Sequence, residues 1–160
     1  MKLNQTLLHK LGEWRPAENK RSSMSISDSE SGWAVDITAE RNDEMGCKIW
    51  ELTLRRLVPS SVLLSTWAER CAERVTSLLQ RLKVVEIDKV RQEAQLRSLS
   101  PTQTGDTVFY DELILTGNHR AVLKRFEAGK ALQTPRRQIA FPLPHEALAK
   151  LVADLTEAGS

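Results

Sequence analysis

The residue types able to do chemistry are few and scattered. There are three histidines, His9, His119 and His145, and two cysteines, Cys47 and Cys71. A structural zinc site wants Cys/His pairs separated by about two to four residues, and none of these five is so placed. Cys47 lies close to Glu44, and a neighbouring carboxylate disfavours the thiolate that a nucleophile needs. Cys71 falls among apolar residues at helical spacing and reads as a small buried hydrophobe. The nucleophile elbow, the P-loop and the dinucleotide fingerprint have no counterpart. Asp36, Glu40, Asp43 and Glu44 bracket a turn and offer oxygen ligands, but their spacing fits no calcium loop. They read as charges that keep an exposed turn soluble. No catalytic, cofactor-binding or metal residue is assigned, and no cofactor is expected. An enzyme would need a site assembled from distant positions, for example His119 with Asp111 or Glu112.

Charge is distributed unevenly. Between Ile26 and Gly46 six acidic residues stand against Arg41 alone; between Asn118 and Gln138 six basic residues stand against Glu127 alone. The net charge of +2 at pH 7 hides this contrast. It fits a basic binding face, internal pairing, or a two-fold dimer in which acidic meets basic. The residues expected to meet a partner are Trp14, Arg120, Lys124, Arg125, Lys130, Arg136 and Arg137. Nucleic acid is the alternative partner for Arg120–Arg137. Single-strand binders stack bases on exposed rings, and the segment's only candidates, Phe126 and Phe141, fit core positions better.

These residues must be held by elements whose periodicity is readable. Leu3, Leu7, Leu8, Leu11 and Trp14 share a helical face that ends before Pro16. Residues 16–31, with six serines from Ser22 to Ser31, read as a flexible loop, a short edge strand at Ser23–Ser27 being the weaker option. Trp33–Ala39 and Cys47–Leu57 alternate as a hairpin, with Trp50, Leu52 and Leu54 expected inward. From Ser60 or Ser61 as N-cap, Leu64, Trp67, Cys71, Val75, Leu78, Leu79 and Leu82 predict one long amphipathic helix over Val62–Leu82. Strands are expected at Val84–Asp88, Glu93–Leu99, Thr107–Leu115 and Arg120–Glu127, the last two joined by Gly117-Asn118, and a short one at Gln138–Phe141. Pro101–Gly105 reads as a turn. Ala147, Leu148, Leu151, Val152 and Leu155 predict a closing helix.

The order α-β-β-α-β-β-β-β-(β)-α gives a single α+β domain over residues 1–160. A twisted antiparallel sheet of about five to seven strands packs on the long helix, with N- and C-terminal helices beside it. In arrangement this resembles the secretion-chaperone fold of bacteria, and the resemblance implies a helix-flanked sheet that dimerises and holds an extended partner. No stretch approaches the ~20 apolar residues of a membrane span; that and unpaired cysteines suggest a cytoplasmic protein. The expected function is a small interaction protein, an adaptor or chaperone-like module binding another protein or itself as a homodimer, rather than an enzyme.

Overall fold

The structure, a computed structural model, describes residues 2–17, 20–129 and 135–160. Helix α1 (Leu3–Glu13) leads into β1 (Ser22–Asp28), β2 (Trp33–Asp43) and β3 (Gly46–Arg56). Helix α2 (Leu64–Arg74) precedes β4 (Leu82–Asp88), β5 (Glu93–Ser98), β6 (Thr102–Thr104), β7 (Thr107–Thr116), β8 (Arg120–Gly129), β9 (Arg137–Ile139) and β10 (Phe141–Leu143), and α3 (His145–Ala158) closes the chain. The protein is α+β, with three helices and an antiparallel sheet of ten strands among the described residues.

The main path of the sheet runs β1-β2-β3-β8-β7-β5-β4. Strands β3 and β8 pair only over Leu52–Arg55 and Arg120–Leu123. Beyond that they take different partners: β10 pairs with Cys47–Ile49 of β3, and β9 with Arg125–Glu127 of β8. One face of the sheet carries Met24, Val35, Ile37, Leu52, Leu54, Leu123, Leu113 and Leu96 into a single core. Helix α3 packs between α1 and α2, with α1 over β1 and β2 and α2 over β4 and β5. Leu3, Leu7 and Leu11 of α1 are buried there, each contributing about 2 kcal/mol of transfer free energy.

Six expectations need correction. The helix expected over Val62–Leu82 spans only Leu64–Arg74, with Leu63, not a serine, at its N-cap. Val75, Thr76 and Ser77 are β-branched or hydroxylated and favour helices weakly. Arg81 Nη2 donates to the Glu73 carbonyl at 2.5 Å, satisfying a carbonyl of the last turn. Val75 and Leu78 stay buried from a non-helical, bent connection, and Leu82 faces the core from β4. The apolar spacing was therefore real, but two element types share it.

The serine-rich stretch read as a loop contains β1, which pairs with β2 from Ser22↔Ala39 to Asp28↔Trp33. Met24 points into the core, while Ser23 and Ser25 bond to Thr38 and Asp36. Trp50 does not face inward. Register shifts leave Trp50 of β3 and Glu40 of β2 without opposite residues, and its neighbours Cys47 and Ile49 take the core positions ahead of Leu52. The β7–β8 turn has three residues, Gly117, Asn118 and His119, closed by Thr116↔Arg120. The sheet also gains β6, within the expected turn Pro101–Gly105, and a final pair of short strands instead of one.

Candidate functional site

Neither cysteine is placed for nucleophilic work. Both are buried and unpaired by disulfide. Loss of hydration pushes both thiols up to about 12, with Asp43 adding to the effect at Cys47. Among the described residues, no group of three or more His, Cys, Asp and Glu converges as a metal site would require. No helix among them is long and apolar enough to cross a membrane. His9 sits one turn from Glu13 on the exposed side of α1. His145 Nε2 lies 2.7 Å from Asn42 Oδ1. Asn42 in turn donates to the carbonyls of Leu11 and Trp14 at 2.8 and 2.6 Å. Trp14 itself packs half-buried against the core at the end of α1.

The assembled site of His119 with Asp111 or Glu112 does not form. His119 lies in the turn, whereas Asp111 and Glu112 oppose Arg125 and Lys124, about 13 Å or more along the strand at ~3.3 Å per residue. Successive strand residues also point to opposite faces, so the two carboxylates cannot act together.

Asp111 lies on the core face, and Arg125 donates to it through Nε at 2.7 Å and Nη2 at 3.2 Å. The pair is buried beneath Phe141, whose ring centroid lies 4.1 Å from the Arg125 guanidinium carbon. Glu112 lies on the opposite face. It accepts from Gln95 at 3.1 Å, Arg97 at 3.0 Å and Arg136 at 2.7 Å. Burial alone would raise its pKa, but the hydrogen bonds from Arg136, Gln95 and Arg97 outweigh this and hold it below the ordinary glutamate value. Arg136 also covers the ring of Phe126 at 3.8 Å, and Phe126 stacks on Tyr110. Phe126 thus belongs to an outer-face cluster, while Phe141 is in the core as expected.

The basic segment is therefore largely spent within the fold. Arg125, Arg136 and Arg137 pair with Asp111, Glu112 and Glu127. Arg120 and Lys124 make no ion pair among the described residues, and Lys130 lies outside them. Half of the acidic segment is likewise matched: Asp36 by Arg55, Glu40 by Lys48 and Asp43 by Arg41. These ion pairs are made mostly with residues outside the two segments, and none of them joins one segment to the other. Single-sequence reading could not reveal this, because the partners lie on other strands.

Two cavities stand out among the described residues. One of about 610 Å³ opens between the start of α1, the β1–β2 turn and the end of α3, with Asp28, Glu30 and Glu157 on its walls. The Asp28 carboxylate is occupied by the backbone amides of Glu30 and Ser31. A second of about 320 Å³ lies beside Trp50 and Gln138. Trp50 Nε1 donates to Glu40 at 3.2 Å, and Arg21 stacks on its indole at 3.6 Å. Neither cavity presents a nucleophile beside a base.

The two ends of the main sheet path are β1 and β4, strands of seven residues that each pair on one side only among the described residues. They differ in their surroundings. Four of the eight large apolar side chains exposed among the described residues flank β4: Val90, Leu79, Leu99 and Val85, at 95%, 70%, 55% and 47% exposure. Sequence periodicity puts Leu79 on the buried face of a helix and places Val85 and Leu99 in strands without showing that they face water. Comparison of the chain with family models, with curated proteins and with solved structures yields no match.

Proposed function

We propose that this is a small interaction protein, an adaptor or chaperone-like module that binds another protein or itself through the free edge of its sheet. The observation that carries the reading is the β4 edge, a strand paired on one side only among the described residues, with exposed apolar side chains at its middle and at both ends. Unpaired strand edges template further strands, and exposed apolar clusters mark interaction surfaces. Strand addition supplies main-chain hydrogen bonds, with side chains providing selectivity. The helix-flanked sheet fits the arrangement of a secretion-chaperone-like module, and a cytoplasmic setting belongs to the same reading. Nucleic-acid binding through Arg120–Arg137 is less well supported, because most of the described cations there already hold carboxylates.

The test combines mass in solution with partner capture and a thermal-shift panel of metabolites and metals. The reading expects concentration-dependent mass above one chain, or a reproducible protein partner. A strictly monomeric mass with no reproducible partner, and stabilisation by one small metabolite, contradicts it in favour of an enzyme.

A further inference from the structure

We infer that the occupant of the β4 edge is the β4 strand of a second copy, paired antiparallel about a two-fold axis between Val84 and Val85. This rests on the interaction reading above and names its partner. The argument is self-complementarity. In that register Val84 opposes Val85 of the other copy, Lys83 opposes Glu86, Leu82 opposes Ile87 and Arg81 opposes Asp88. Every charged position meets the opposite sign and every apolar position meets an apolar one, twice over, as an isologous interface requires.

The strand irregularity supports this register. Val84 pairs with Leu96 and Glu86 with Gln95, which leaves Val85 as the extra residue of a bulge. The bulge restores phase, so that Leu82, Val84 and Ile87 all lie on the core side. Lys83 and Glu86 are both exposed. Without the bulge, the side chains of Leu82 and Ile87 would fall on opposite faces, and the opposed pairs would mismatch.

The same axis brings the exposed ends together. The Leu99 amide donates to the Arg81 carbonyl, which places Leu99 beside the start of β4. Leu79 and Leu99 of one copy then approach Val90, in the β4–β5 turn, of the other. This removes from water the side chains whose exposure is otherwise unexplained. A lone edge lysine deters strand pairing; here each Lys83 has an acid across the seam, so the charges select this register and disfavour others. At the opposite edge, β1 bears one charge, Asp28, and two of its outward serines, Ser23 and Ser25, are bonded to β2, so nothing comparable favours its self-pairing.

Sedimentation equilibrium of the full chain and of Lys83→Glu, Glu86→Lys and the double charge swap tests the assignment. Among the described residues neither side chain makes a hydrogen bond or ion pair, and the cross-strand neighbours are Arg97 and Gln95, so neither substitution removes a contact of the fold. Unchanged thermal midpoints check this. The expected result is a species of twice the 18.1 kDa chain mass, roughly tenfold weaker association in each single variant from two like-charge pairs, and recovery in the double swap. A dimer indifferent to all three variants overturns the β4 assignment but leaves self-binding standing. A wild-type chain that stays monomeric at every concentration overturns both.

Discussion

Asp111 and Arg125 face one another across β7 and β8 as a buried bidentate ion pair, Arg125 Nε donating to Asp111 Oδ1 at 2.7 Å. Removing one partner strands the other's charge away from water. Asp111→Leu is expected to cost about 3–5 kcal/mol, and Arg125→Met a similar amount. The double replacement Asp111→Leu with Arg125→Met is expected to recover most of that loss, because an apolar pair of similar volume has no desolvation penalty. Urea denaturation of the four proteins measures the coupling.

Glu112 gives a pH dependence of defined sign. Its folded-state pKa lies below the ordinary glutamate value of 4.5. Its contribution is therefore complete above the unfolded value and is lost as pH falls through the folded one. Glu112→Gln should lower stability at about pH 7 and flatten the acid limb of the stability profile below about pH 5. Asp36 and Glu40 are depressed too, so some acid sensitivity persists. Thermal midpoints across pH read the difference.

Asn42 joins three elements, donating to the carbonyls of Leu11 and Trp14 at the end of α1 and meeting His145 at the start of α3. Asn42→Ala leaves these groups without their partner and is expected to cost about 2–3 kcal/mol. The loss should be local first. Amide exchange in α1 should accelerate before exchange in β7 and β8.

Gly46 is held at φ +153, and a Cβ there would lie 2.7 Å from the Leu143 carbonyl oxygen. The obstacle is backbone, so β10 must move to relieve it. Gly46→Ala should destabilise by about 1–3 kcal/mol, whereas Gly12→Ala, with open space around its Cβ, should stabilise α1 by up to about 1 kcal/mol. Chemical denaturation of the two variants separates the cases.

Cys47 and Cys71 should resist thiol reagents in the folded protein, since burial pushes both up to about 12. Colorimetric titration should find both thiols slow under native conditions and fast in denaturant. Rapid native labelling of Cys47 would contradict its buried position.

What was legible in the sequence follows from how local each determinant is. The alternation of Thr107–Leu115 and Arg120–Glu127 carries its own face assignment, and β7 and β8 lie there with slightly longer bounds. The end of α2 was not legible, because Val75, Leu78 and Leu82 satisfy helical spacing while reaching the core by a different path. β1 was hidden because serines on the outer face of a strand look like a solvated loop until β2 supplies Thr38 and Asp36. Trp50 was misassigned because a bulge shifts side-chain phase without leaving a mark on composition. For the candidate site, the charge asymmetry was visible but its cross-strand cancellation was not, since Arg136 and Glu112 are brought together only by the sheet.

The central claim, association through the edge of β4, is tested most directly by amide hydrogen exchange at low and high protein concentration. The account predicts that protection within Leu82–Asp88 rises with concentration while β1 is unchanged. Exchange in β4 that is as fast at high concentration as at low would contradict it.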